Sequence, residues 1–126
     1  MNVPDQLLYT EEHEWIDVQD DGTIKVGITD YAQEELGDVV FVELPSQGEE
    51  MEASAVMAEV ESTKSVAEVY APATGTVVAV NEELADKPEL VNQDPYGAAW
   101  FVILRPDQPL DESDFLGAEA YRALIG

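Results

Sequence analysis

Val60 to Val80, VESTKSVAEVYAPATGTVVAV, decides how this chain is read. Two alternating runs flank a short polar stretch. In Ser54 to Val60, Val56, Ala58 and Val60 share one face and Ala55 and Met57 the other, and Val66 to Tyr70 alternates in the same way. Between them, Glu61-Ser62-Thr63-Lys64-Ser65 has nothing to bury. The pattern predicts a β-hairpin with Lys64 at its tip, followed by a breaker cluster, Ala71-Pro72-Ala73-Thr74-Gly75, and a new strand from Thr76 to Val80. A lone lysine at an exposed turn is ordinarily a solubilising charge. In this chain, however, lysine occurs only at 25, 64 and 87. A lysine kept at a hairpin apex amid such scarcity points to use of its amine. A stiff sheet beneath an unencumbered amine suits a covalent attachment point. A catalytic lysine needs burial to lower its pKa from about 10.4, and a polar turn offers none.

Outward from the hairpin, the chain reads as short strands. Leu7 to Tyr9 starts an edge strand. Glu14 to Gln19 alternates with Ile16 and Val18 inward, Asp20-Asp21-Gly22 is a hairpin turn, and Thr23 to Ile28 returns with Ile24, Val26 and Ile28 on one face. Thr29 to Gly37 is a short helix, capped by Thr29 or Asp30 and stopped by Gly37. Tyr31 with Glu35, and Ala32 with Leu36, share its faces. Asp38 to Leu44 is a strongly apolar strand. After Val80, Asn81 is placed to cap a short turn, Leu90 and Val91 form a brief extended piece, and Trp100 to Leu104 is the last strand. Pro109 to Gly117 holds a helical turn, and Ala118 to Ile125 is a terminal helix. The sum is one mainly β domain over residues 1–126: a sandwich or flattened barrel of two antiparallel sheets with short peripheral helices and a C-terminal helix.

Composition excludes several functions. Twenty-eight Asp and Glu against five Lys and Arg give a formal net charge of −23, and no run of basic residues exists, which argues against nucleic-acid binding. No apolar run approaches a membrane span. The first residues lack the basic start and apolar run of a signal peptide, so a cytoplasmic location is expected. There is no cysteine, hence no disulfide and no thiolate metal site. His13 is the single histidine and reads as a locally bonded side chain beside Trp15 rather than a metal ligand. With no cysteine, no activated serine and no histidine paired with a nucleophile, catalysis is not expected. The acidity has two explanations, a docking field for basic partner clefts or adaptation to high salt, where such self-repulsion is screened. Its even spread along the chain favours the second.

The segment ESTKS at 61–65 followed by APATG at 71–75 resembles the lipoyl-lysine hairpin of the glycine cleavage system H-protein family. So do YTEEHEWI at 9–16, GITDYAQEELGDVVFVELP at 27–45 and PELVNQDPYGAAWFV at 88–102. The resemblance implies the barrel-sandwich hybrid of lipoyl domains and lipoic acid held as an amide on Lys64. It implies a carrier that takes an aminomethyl group from a pyridoxal-phosphate glycine decarboxylase to a tetrahydrofolate-dependent aminomethyltransferase, and is then reoxidised by the flavoenzyme dihydrolipoyl dehydrogenase. A lipoate ligase or lipoyltransferase would attach the arm. Glu61 and Gly75 match positions implied for recognition by that enzyme. Pro72 to Gly75 also reads as a tight turn in which glycine permits positive φ. Glu14 and Glu68, with Glu35 behind them, are the candidates to receive the cationic end of a loaded arm. Thr63 stands where the family often has Val. Four other readings compete: a biotinyl carrier, disfavoured because Lys64 lacks flanking methionines; a lipoyl domain of a 2-oxoacid dehydrogenase; a lipoyl donor in a relay; and an unmodified interaction module. A lipoyl domain of a 2-oxoacid dehydrogenase would be shorter and lack the 27–45 and 88–102 segments.

Overall fold

The computed structural model describes residues 2–126. Nine strands form two antiparallel sheets, as the alternation implied. The larger sheet holds β1 (Leu8–Tyr9), β2 (Glu14–Val18), β3 (Ile24–Ile28), β5 (Glu50–Met51), β8 (Gly75–Val80) and β9 (Val102–Pro106), ordered β1-β2-β3-β9-β8-β5. The smaller holds β4 (Val39–Glu43), β6 (Val56–Ser62) and β7 (Val66–Tyr70), ordered β4-β6-β7. One apolar cluster joins the inner faces, with Ile16, Ile24, Val26 and Leu104 from the large sheet and Val42, Val60 and Val69 from the small one. Helices α1 (Asp30–Leu36), α2 (Glu83–Asp86) and α3 (Leu90–Gln93) close the sides through buried Leu36, Leu84 and Val91. Helix α4 (Ala118–Ile125) covers a second cluster in which the Tyr9 and Tyr121 rings stack at 4.6 Å.

Local chemistry explains the boundaries. Thr29 caps α1 by accepting the Ala32 amide at 3.2 Å, and Gly37 ends it at φ 80°, where its N–H reaches the Gln33 carbonyl. The Asp20–Gly22 turn closes on Gly22 at φ 88°, with Asp21 accepting from both the amide and the hydroxyl of Thr23.

Four expectations are corrected by packing. Strand β2 is covered on both faces at its start, by the main core at Ile16 and the second cluster at Trp15; its far end runs out at the turn, where Val18 is exposed. A β-bulge between Val56 and Ala58 buries Met57 and Ala58 together and leaves Val56 outside. Asn81 does not cap with its side chain. It is buried, and its amide donates to the Ala98 and Trp100 carbonyls at 2.7 and 2.8 Å, tying down the approach to β9. Leu90 and Val91 are helical rather than extended.

Candidate functional site

The hairpin of β6 and β7 ends in a turn that presents Lys64, which is exposed. Ser62 organises the tip. It is buried, and its hydroxyl accepts the amides of Lys64 at 3.3 Å and Ser65 at 3.1 Å while donating to the Ser65 carbonyl at 3.1 Å. The Ser62 amide closes the turn on that same carbonyl at 2.8 Å. The tip also leans on a neighbour: the Thr63 amide donates to the Asp38 carbonyl at 3.1 Å. The lysine stem crosses Gly37, its Cε 3.4 Å from where a β-carbon there would stand. Asn92 fixes this support. Its amide nitrogen donates to the Gly37 carbonyl and the Gln33 side chain, both at 2.9 Å, and its oxygen accepts the Val39 amide at 2.8 Å.

Beside the tip, a cleft of about 300 Å³ opens between α1, the start of β2 and β7. Ser65, next to Lys64, lies on its rim. Ile28, Leu36, Val60 and Val69 line it with apolar surface, and Glu12, Glu14, Glu35 and Glu68 add carboxylates. The fold thus brings Glu14, Glu35 and Glu68 into one cavity from three elements. Glu14 is 2% exposed; it accepts the Tyr70 amide and the Thr10 hydroxyl, each at 2.7 Å. Burial pushes its carboxyl above the usual range, the two hydrogen bonds oppose that shift, and the negative charge of Glu12 adds to it. Among the described residues, the one salt bridge, Arg122 to Asp5, involves none of these acids.

His13 belongs to the same wall. It adopts φ 71°, packs against the Tyr31 ring at 4.8 Å, and shares a 2.9 Å hydrogen bond between Nδ1 and the Tyr121 hydroxyl, which also bonds Thr29 at 2.7 Å. Burial lowers its pKa, so it stands neutral at pH 7. Burial also pushes the Tyr121 hydroxyl up to about 12.

The remaining two candidates lie apart from the cleft's lining. Glu61 is exposed on the outer face of the small sheet, between Phe41 of β4 and Val66 of β7 in the ladder. Gly75 is in the large sheet, and its φ is not positive. Glycine is required there because β9 passes so close that a β-carbon would lie 2.9 Å from the Pro106 Cα and overlap the Arg105 carbonyl. The residues that sequence reading missed are those acting at long range: Asn92, Gly37 as a seat for the lysine stem, and the wall of Glu12, His13 and Tyr31. Only Tyr31 carried a signal, since it shares a helical face with Glu35.

A two-sheet β scaffold that lifts one lysine on a rigid hairpin beside an apolar, acid-lined cleft has the barrel-sandwich architecture of lipoyl-carrying proteins. The glycine cleavage H-protein family profile matches residues 7–126. A glycine cleavage system H protein of Oceanobacillus iheyensis is 49% identical over 125 residues, covering 99% of this chain and 98% of its own. A probable glycine cleavage system H protein of Pyrococcus abyssi is 53% identical over 124 residues, covering 98% and 92%. The crystal structure of such a protein from Mycobacterium marinum superposes with a TM-score of 0.90 at 42% identity, covering 98% of this chain and 99% of that one. The chain belongs to the glycine cleavage H-protein family, the lipoyl-carrying subunits of the glycine cleavage system.

Proposed function

We propose that Lys64 carries a lipoyl group as an amide and that residues 1–126 act as one non-catalytic carrier domain in the cytoplasm. The observation that carries this reading is the exposed lysine tip with a cleft opening one residue away at Ser65. A lipoyl amide supplies a disulfide–dithiol couple on a tether, which would carry an aminomethyl unit from glycine decarboxylase to aminomethyltransferase and be reoxidised by dihydrolipoyl dehydrogenase.

The residues present fit that group. The apolar lining suits a hydrocarbon tether, and the acids suit a terminal ammonium. The chain's own residues do the rest. Ser62 and the Asp38 carbonyl hold the tip, and Gly37 leaves room for the stem. Ile28, Leu36, Val60 and Val69 limit access of water to a loaded arm. Glu14 is buried and, among the described residues, has no cation beside it, so an arriving ammonium would favour its charged form and draw its pKa back down. Glu35 and Glu68 would hold the same cation from the helix and the edge strand. Glu61 would be touched by a lipoate ligase or lipoyltransferase as it acylates Lys64, and Gly75 would contribute through the position of β8.

Intact mass of the protein made in lipoate-replete cells tests the attachment. The expected product carries one lipoyl group on the Lys64 peptide, and Lys64→Arg carries none. A biotinyl mass or an unmodified lysine overturns the reading. Glycine–bicarbonate exchange with a glycine decarboxylase then tests the carrier role. A lipoylated chain that supports no exchange would be a lipoyl donor to other enzymes instead.

A further inference from the structure

Tyr121 stands at the centre of a chain of contacts that runs from the C-terminal helix to the cleft. Its ring is fully buried and stacks on Tyr9. Its hydroxyl bonds Thr29 Oγ1 at 2.7 Å and His13 Nδ1 at 2.9 Å. Thr29 is buried too, and it caps α1, the helix that carries Tyr31 and Glu35. The His13 ring packs on Tyr31 at 4.8 Å. The contacts close into a circuit: from α4 to the Thr29 cap, along α1 to Tyr31, across to His13, and back to α4. A buried tyrosine hydroxyl is satisfied by one partner, and Thr29 supplies it. The bond to His13 exceeds that need.

The second bond holds a strained residue. His13 adopts φ 71°, a conformation that costs a non-glycine residue free energy and persists where the surroundings fix it. Its backbone is tied on both sides. The N–H donates to the Thr10 carbonyl at 3.1 Å, and the carbonyl accepts the Thr29 amide at 3.0 Å. Glu12 and Glu14 flank it in sequence, and all three line the cleft with Tyr31. Glu14 has holders of its own, the Thr10 hydroxyl and the Tyr70 amide.

We infer that the Tyr121 hydroxyl is a positioning group for the cleft: from α4 it pins His13, and through His13 it holds the Glu12 and Tyr31 wall against a loaded arm. The inference rests on the reading of Lys64 as the attachment point. Tyr121 does not itself line the cleft, so it acts through the imidazole. Without the hydroxyl, the ring is free to turn towards solvent and the strained backbone to relax. The wall then opens and water reaches the aminomethyl carbon. Water gives its oxygen to that carbon, which leaves as formaldehyde; the nitrogen leaves as ammonium, and the sulfur keeps a proton as a thiol.

Four variants test this. Tyr121→Phe removes only the hydroxyl. His13→Gly removes the imidazole and suits a positive φ. The third combines the two. Tyr9→Phe is the control: it belongs to the same stack and gives up a hydroxyl bond to the Pro4 carbonyl at 2.6 Å, which does not involve His13. His13 is the only histidine, so imidazole signals in proton–nitrogen NMR of the unlipoylated full-length chain have one source. Burial holds its titration below the ordinary 6.5, against the pull of Glu12 beside it and Glu35 from α1. Tyr31 from α1 and Tyr121 from α4 complete its surroundings. The midpoint is expected to rise in Tyr121→Phe and to stay in Tyr9→Phe. Lipoylated chains are then loaded with glycine by glycine decarboxylase, freed of the enzyme and followed by intact mass. Tyr121→Phe and His13→Gly are expected to lose the aminomethyl group roughly fivefold faster than wild type. The double variant should be no faster than His13→Gly, and Tyr9→Phe should stay within about twofold of wild type. A wild-type loss rate or an unmoved imidazole in Tyr121→Phe overturns the inference. Effects that multiply in the double variant overturn it as well, because the hydroxyl would then act apart from His13. Equal loss in Tyr9→Phe does the same, since any loosening of the stack would suffice. A wild-type chain that never gains a lipoyl group on Lys64 removes the attachment reading itself, and the inference with it.

Discussion

Glu14 sets a quantitative test of the electrostatics of the cleft. Its carboxyl is 2% exposed, holds the Tyr70 amide and the Thr10 hydroxyl, and has its pKa raised mainly by burial. The sign follows from linkage. With the folded pKa above the unfolded one, the native state keeps a proton that the unfolded chain has already lost. Stability therefore falls as pH rises from the unfolded value of 4.5 to the folded value, at up to about 1.4 kcal/mol per pH unit. Below that window the cost is absent, and above it the cost is complete. Glu14→Gln removes the charge and keeps the shape. Its amide oxygen takes the Tyr70 N–H and its NH2 faces the Thr10 oxygen. Glu14→Ala keeps neither bond and leaves the Tyr70 amide without its acceptor, which costs about 1–3 kcal/mol at every pH. For a chain of this length that is a drop of roughly 4–12 °C in melting temperature. Urea melts of the three proteins from pH 3.5 to 8, at one fixed high salt concentration, separate the effects. Wild type should lose ground to Glu14→Gln as pH rises through the window, while Glu14→Ala lies below Glu14→Gln throughout. If the gap between wild type and Glu14→Gln is flat with pH, the carboxyl is not held up by burial. If Glu14→Gln falls as far as Glu14→Ala at pH 7, the buried charge is a net stabiliser and the argument fails.

Three further outcomes are expected. Gly27→Ala should destabilise by about 1–3 kcal/mol in chemical denaturation, because a β-carbon there would stand 2.6 Å from the Trp15 indole, which is itself pinned by its hydrogen bond to the Pro95 carbonyl. Wild-type stability there would mean that the indole has room to move. Asn81→Asp should lower the melting temperature strongly at neutral pH and less at pH 3.5, since a buried carboxylate would face the Ala98 and Trp100 carbonyls that the amide now satisfies; protonation restores one donor. A loss independent of pH would refute this account. With a net charge of −23, melting temperature should climb steeply with molar KCl. Full stability in dilute buffer would leave the acidity to be explained as a docking field.

The sequence alone determined the strand pattern, the capped helix after Thr29, the terminal helix and the lysine tip. Each is a local matter. Alternation, a threonine cap, a stop glycine and a polar run between apolar ones act within a few residues, and they name the same element whatever packs above it. It also determined which acids to suspect, because the strand and helix pattern puts Glu14 and Glu68 near the base of the hairpin and Glu35 on the short helix behind them.

Tertiary structure alone decided where those acids meet. Glu14 from β2, Glu35 from α1 and Glu68 from β7 share a cleft only because the two sheets pack with α1 at their side. It alone decided that Asn92, distant in sequence, supports the seat of Lys64, and that Gly75 answers to a strand passing over it rather than to its own φ. Bulges break the alternation read in β6 and choose among the apolar residues of β4, turning Met57 inward and Phe41 outward. Which of two apolar neighbours is buried depends on the sheet packed against the strand, and a strand's own residues carry no record of that sheet.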